Sequence, residues 1–425
     1  MDFIEELKWR GLFFDMIPGS QKHLNSHKTL GYIGFDPTAP SLGIGNLVQI
    51  IILKHFQRAG HQPIALLGGA TGMIGDPSGK TEERQLLSEK QLQSNITGFQ
   101  QQLQKYLDIH SETNPVLMLN NYDWYQNMNM LYFLREIGKH LTVNYMMAKD
   151  SVKSRMESGI SYTEFTYQLL QAYDFYRLNE DHQCTIQMGG SDQWGNLTSG
   201  VELIRRLKGD EAYAVTSPLV TKTDGSKFGK TEKGNIYLNP ELTSPYHFYQ
   251  FWLNVSDADA EKFIKIFTFL TKEEIETLTK QHYEAPHQRT LQQKLAEEVT
   301  TFVHSKEEHD KAVKASNILF GRSTTEDLNS LDEATLLSAM DGVPQCKVDR
   351  GRLKNGINLI DLLAVETNVL PSKNEAKKMI KGNAISVNKI KRSDIESEIS
   401  EIDLINNRYI LLQKGKKNYY LLSIE

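Results

Sequence analysis

Residues 28–80 alternate between strand-like and helical patterning: TLGYIGFD reads as a strand, the apolar run Asn46 to Ala59 as a helix closed by Gly60, and PIALLGG as a second strand. A β-α-β unit implies a parallel pair joined by a crossover, and it places ligands at the carboxyl ends of its strands. The strand period of two puts Tyr32, Gly34 and Asp36 on one face, with Asp36 at the carboxyl end. At the junction with the helix, PSLGIGN (40–46) combines two glycines and an asparagine, which suits a helix start that receives an anion.

Other stretches could serve the same sheet end. GGATGMIGDPSGKT (68–81) is glycine-dense but has three residues between Gly75 and the Gly79-Lys80 pair, where a Walker A loop has four. The dinucleotide spacing G-x-G-x-x-G is also absent, which disfavours a P-loop kinase or a dehydrogenase. Asp76 within it either accepts a hydrogen bond from an amine or hydroxyl or forms an Asp-Pro turn. In the helical stretch 160–177, Tyr167, Gln171 and Asp174 recur at i, i+4 and i+7 and so line one face. Each buried polar group left unmet costs roughly 1–3 kcal/mol, so the stripe meets either water or a polar ligand, and its chemistry suits an α-ammonium group. GGSDQWGN (189–196) adds Asp192 and Gln193, suited to a ribose or amino acid. KTDGSKFGKT (222–231) adds Lys227 and Lys230 in a glycine-flanked loop able to swing onto phosphates, unless these lysines are merely solubilising.

The remaining chain shows a helical run over 236–322, an acidic Ser/Thr-containing linker from Gly321 to Asp332, and a small domain from near Arg352. In that domain Ser372 and Glu375 form a capping-box pattern, and Gly382 can end the helix. From Gly351 onward there are 13 Lys+Arg and 9 Asp+Glu, a balance of +4 within a chain of net charge −5. A basic module on an acidic body suits a polyanion partner, or is simply a lysine-rich solvated face. The acidic N-terminus and the lack of a long apolar run predict a cytoplasmic protein without membrane segments. Cys184 and Cys346, far apart, indicate neither a disulfide framework nor a cysteine-zinc site, and no Ser-His-Asp or Cys-His pattern stands out.

YIGFDPTAPSL, GGATGMIGDPSGK, NNYDW, YTEFTYQLLQAYDF, MGGSDQWGN, KFGKTEKGN and SPYHFYQFW occur in order and at compatible spacing. Together they resemble the blocks of the bacterial tyrosyl-tRNA synthetases, a class I aminoacyl-tRNA synthetase family. The resemblance implies an α/β fold: a Rossmann-like parallel-sheet catalytic domain (1–225), a mobile signature loop with an α-helical anticodon-side domain (226–325), a linker (326–351) and a small α+β module of the α-L RNA-binding type (352–425). It implies ATP-dependent, two-step attachment of L-tyrosine to tRNA(Tyr) by a homodimer. ATP enters as a substrate with Mg2+, and there is no tightly bound cofactor and no protein metal site.

By the same resemblance, Tyr32 and Asp174 read the substrate phenol, which moves Asp174 away from the ammonium group suggested by the stripe alone. Asp76, Tyr167 and Gln171 take the ammonium group, and Gln193 lies near the reacting carboxylate. Asp36, Gly190 and Asp192 belong to the nucleotide side, with Thr38 reaching the phosphates. Lys80, Arg84, Lys227, Lys230 and Thr231 surround pyrophosphate as it forms, and Lys149, Arg205 and Arg206 face the tRNA acceptor stem. The family's His-x-Gly-His pattern is altered: this chain has Gly43-Ile44-Gly45-Asn46, with Asn46 expected to act as an N-cap at the phosphate site and Gly43 lacking an imidazole donor.

Overall fold

The computed structural model describes residues 2–78, 87–156, 159–226, 228–231, 234–320, 325–341, 343–354, 356–415 and 418–425. The chain divides into two compact units, one comprising residues 1–243 and 252–299 and the other residues 244–251 and 300–425.

The first unit is built on a six-stranded sheet. Its strands are β1 (Asp15–Met16), β2 (Leu30–Phe35), β3 (Gln62–Leu67), β4 (Leu117–Asn120), β5 (Cys184–Gly190) and β6 (Tyr213–Ser217). Their spatial order is β1-β6-β5-β2-β3-β4, parallel throughout except for the two-residue edge strand β1. The order reverses around β2 and β5, whose carboxyl ends frame the crevice where an open sheet receives its ligand.

Helix α1 (Ile44–Arg58) forms the first crossover. Leu47, Val48, Ile50, Ile51, Ile52, Leu53 and Phe56 are all buried, so the helix is apolar on nearly every side. Burial of that kind contributes about 1.5–3 kcal/mol per large side chain. Gly60, at φ +95°, then turns the chain back into β3. Helix α2 (Tyr162–His182) begins where the Ser161 hydroxyl accepts from the Glu164 N–H at 3.2 Å, and Gln183, at φ 56°, closes it in the left-handed region. Phe175 and Leu178 of α2 pack against Tyr32, Ile64 and Leu66 of the sheet. Helix α3 (Trp194–Lys208) follows β5, and helix α4 (Asp257–Phe267) comes later in the same unit.

In the second unit a five-stranded sheet has the order Ile390–Lys391, Ile385–Val387, Tyr409–Lys414, Asn418–Ile424, Gln345–Val348. The last of these strands precedes Arg352, where the sequence suggests that the small domain begins. A cluster containing Val348, Leu353, Leu362, Leu370, Ile380, Ile410 and Leu422 gives this module its own core. Helix Lys373–Lys381 is capped at Ser372, whose hydroxyl accepts from the Glu375 N–H at 3.2 Å. Gly382 does not close it in the left-handed region: its φ is −81°, and Asn383 takes that conformation at φ 55°.

Candidate active site

A cleft of about 320 Å³ opens at the carboxyl ends of β2, β3 and β5. Tyr32, Asp36 and Thr38 reach it from β2 and its end, Asp76 from the segment after β3, and Gly190, Asp192 and Gln193 from the end of β5. From α2 come Tyr167, Gln171 and Asp174, so the i, i+4, i+7 stripe does face a common space. Asn46 of α1 also lines the cleft, whereas Gly43 and Gly45 are not among its lining residues. Lys80, Arg84 and Lys227 lie outside the described residues. Lys230 and Thr231 pair through their backbone with Asn235 and Gly234.

One hydrogen-bonded chain runs through the site. Tyr167 Oη donates to Asp36 Oδ2 at 2.6 Å, and Thr71 Oγ1 donates to Asp36 Oδ1 at 2.7 Å. Asn121 Nδ2 lies 3.0 Å from both Thr71 Oγ1 and Asp174 Oδ2, and Trp124 Nε1 donates to Asp174 Oδ1 at 3.0 Å. A second group centres on Asp76, which accepts from Gln193 Nε2 at 2.6 Å, from the Ser78 N–H at 3.0 Å and from Asn196 Nδ2 at 3.4 Å.

Asp36 can occupy its position only because residue 68 is glycine: a Cβ there would stand 2.0 Å from Asp36 Oδ1 and 2.5 Å from Thr71 Oγ1. Thr71, Asn121, Trp124 and Asn196 are site residues that the sequence reading did not single out. The signal for Asn121 is present nonetheless, because it directly follows β4 at a strand carboxyl end.

Three buried polar atoms of cleft residues have no hydrogen-bond partner among the described residues, the Tyr32 hydroxyl, the Gln49 Oε1 and the Gln171 Oε1. Burial, reinforced by the charge of Asp174, holds the Tyr32 hydroxyl well above its ordinary pKa, so it remains a donor. Burial likewise raises Asp174 to about 7, against the hydrogen bonds of Asn121 and Trp124, which favour the carboxylate. Tyr167 is pushed well above its usual range, first by burial and then by Asp36 and Asp76.

The start of α1 differs from expectation in two respects. Gly43, not Asn46, is the N-cap; Asn46 occupies the third helical position and its Oδ1 accepts from the Gly43 N–H at 3.0 Å. The Ile44 N–H donates to the Ile236 carbonyl at 2.9 Å, so this donor of the first turn is already engaged. The basic residues read as acceptor-stem contacts also have local partners. Lys149 Nζ donates to Tyr145 Oη and Thr198 Oγ1, both at 2.9 Å, and Arg205 and Arg206 pair with Glu202 at 2.8 and 2.5 Å.

Among the described residues no group of three or more His, Cys, Asp or Glu is arranged to hold a metal ion, and no helix is long and apolar enough to cross a membrane.

Residues 25–321 match the family model "tRNA synthetases class I (W and Y)", and residues 335–422 match "Tyrosine--tRNA ligase SYY-like C-terminal domain". The chain is 58% identical over 430 residues to a tyrosine--tRNA ligase of Porphyromonas gingivalis, covering 100% of both chains. It is 56% identical over 423 residues to one from Cytophaga hutchinsonii, covering 99% of each. Among solved structures, a C-terminally truncated mitochondrial tyrosyl-tRNA synthetase of Aspergillus nidulans superposes with a TM-score of 0.68 at 30% identity, covering 75% of this chain and 94% of that one. A parallel sheet with a polar cleft at its carboxyl end, a family match over most of the chain and relatives aligned end to end lead to one conclusion: the chain belongs to the class I tRNA synthetases of the W and Y group.

Proposed function

We infer that the chain is a tyrosine--tRNA ligase. The carboxylate of L-tyrosine attacks the α-phosphorus of Mg-ATP, the bond between the α- and β-phosphates breaks, and pyrophosphate leaves. The terminal ribose hydroxyl of tRNA(Tyr) then attacks the adenylate carbonyl and AMP departs. Mg2+ arrives with the nucleotide as part of the substrate.

The observation that carries this reading is that two of the orphaned groups, the Tyr32 hydroxyl and the Gln171 Oε1, share one cleft with Asp174, Tyr167 and Asp76. A tyrosine seated between them gives each a partner. Its phenol accepts from Tyr32 and donates to Asp174, and its ammonium group donates to Gln171 Oε1, to the Tyr167 oxygen and to Asp76. Asp36 and Gln193 lie toward the reacting carboxylate and ribose, Gly190 and Asp192 bind the adenosine side, and Thr38 and Asn46 reach the phosphates. Lys80, Arg84, Lys227, Lys230 and Thr231 stabilise the charge that develops on pyrophosphate.

The basic C-terminal module and Lys149, Arg205 and Arg206 approach the tRNA, and the enzyme works in the cytoplasm. An exposed apolar stretch, with Met130 69%, Leu131 74%, Tyr132 56% and Val143 58% accessible, supports a homodimer seated on this surface. Tyrosine-dependent ATP–pyrophosphate exchange, followed by charging of tRNA(Tyr), tests the reading. Folded protein that supports neither would overturn it.

A further inference from the structure

Phe228 separates Lys227 from the Gly229-Lys230 pair in KFGKT, and its ring is held by three aromatic side chains. The ring centroids lie 4.8 Å from Phe263, 5.0 Å from Phe267 with planes 26° apart, and 5.8 Å from Trp252. All three partners are at most 1% exposed.

The same face of α4 also holds the entry to the loop. Asp259 Oδ1 accepts from the Thr223 N–H and Lys262 Nζ donates to the Thr221 carbonyl, both at 2.7 Å. Asp259, Lys262, Phe263 and Phe267 fall at i, i+3, i+4 and i+8, so one helical stripe grips the loop at two points.

On its other side the loop is fastened to the start of α1. The Leu238 N–H donates to the Leu42 carbonyl at 2.8 Å, the Ile44 N–H donates to the Ile236 carbonyl at 2.9 Å, and the Ile236 N–H donates to the Gly229 carbonyl at 3.2 Å. Gly229 has φ +82°, and a Cβ on it would stand 2.4 Å from Ile44 Cγ2. A side chain here would be strained by the backbone conformation and would crowd Ile44.

We propose that Phe228 is the latch of the signature loop. Seated in the socket of Trp252, Phe263 and Phe267, with Gly229 against Ile44, it fixes the backbone that leads into Lys230 for adenylate formation. It is a positioning residue acting through the loop backbone. The proposal rests on the reading of this loop as the element that stabilises pyrophosphate.

Single-turnover formation of tyrosyl-adenylate in the full-length protein tests it, using Phe228→Ala, Phe228→Leu, Gly229→Ala and Lys230→Ala. Phe228→Ala and Gly229→Ala are expected to slow adenylate formation about tenfold or more at saturating substrates. The dissociation constant for tyrosine, and the transfer of tyrosine from preformed adenylate to tRNA, should stay within about twofold. Phe228→Leu should restore most of the rate, and amide exchange over residues 221–238 should speed up in Phe228→Ala. If Lys230→Ala alone is slow while Phe228→Ala and Gly229→Ala run at the wild-type rate, the latch is refuted. If Lys230→Ala is also unimpaired, the reading of the loop itself fails. Should Phe228→Ala prove insoluble, Gly229→Ala, which leaves the socket filled, decides the matter by the same criterion.

Discussion

Gly43 is where this chain departs most consequentially from the pattern that its other blocks resemble. Its backbone is ordinary, with φ −96°, and a Cβ would meet the Ile236 carbonyl at 3.4 Å and Asn46 Oδ1 at 3.9 Å, so a larger side chain can be accommodated. A charge-assisted hydrogen bond contributes roughly 1.5–3 kcal/mol, about tenfold to a hundredfold in rate. Gly43→His is accordingly expected to speed adenylate formation with little change in tyrosine affinity; an unchanged pre-steady-state rate would show that another group already fills this role.

Asp174 gives a second prediction at this scale. Burial raises its pKa to about 7 in the fold, above that of an unfolded aspartate, so the native protein retains a proton that the unfolded chain has released. The resulting stabilisation is fully present below about pH 4 and is lost as pH rises through about 7. Asp174→Asn should flatten this dependence in the ligand-free protein. Urea unfolding at pH 5.5 and pH 8 should show the wild type losing on the order of a few kcal/mol more than the variant over that interval. Parallel losses would contradict it.

At the scale of elements, α2 carries three cleft residues, and its entry is secured by a buried ion pair. Arg155 Nη2 lies 2.9 Å from Glu164 Oε2, with the two side chains 3% and 1% exposed. Removing one partner strands the other charge, so Glu164→Ala should destabilise the protein by about 3–5 kcal/mol in urea unfolding, far more than removal of a surface pair. A loss below about 1 kcal/mol would mean that water already screens this pair.

The pair also illustrates what sequence reading reaches and what it does not. The alternation over residues 28–80 and the stripe Tyr167, Gln171, Asp174 were legible because strand and helix periods fix which residues share a face. Thr71, Asn121 and Trp124 were not, because their importance comes from contacts 35 to 53 positions apart, Thr71 to Asp36 and Asn121 to Asp174 among them. Asn46 was misplaced by three positions, since asparagine is suited both to cap a helix and, from the third position, to accept the N-cap N–H. The same ambiguity exchanged Gly382 for its neighbour Asn383, because both residue types tolerate φ > 0.

For the whole molecule, the reading proposed above assigns adenylate chemistry and tRNA binding to different parts of the chain. The cleft is lined by residues 32–219, whereas the C-terminal module has its own sheet and apolar cluster. A chain ending at Asp341 should therefore keep tyrosine-dependent exchange within about twofold and lose charging of tRNA(Tyr); parallel loss of both activities would show that the module supports the cleft.

Recognition of the substrate phenol by Tyr32 and Asp174 is the central element of the proposed function. The most direct measurement compares kcat/KM for ATP–pyrophosphate exchange with tyrosine, phenylalanine and tryptophan in the wild type and in Tyr32→Phe. The wild type should use tyrosine by orders of magnitude over both alternatives, because either one leaves buried polar groups unmet. Tyr32→Phe should reduce the preference over phenylalanine about tenfold to a hundredfold. Comparable exchange with phenylalanine or tryptophan in the wild type, or a preference untouched by Tyr32→Phe, would contradict it.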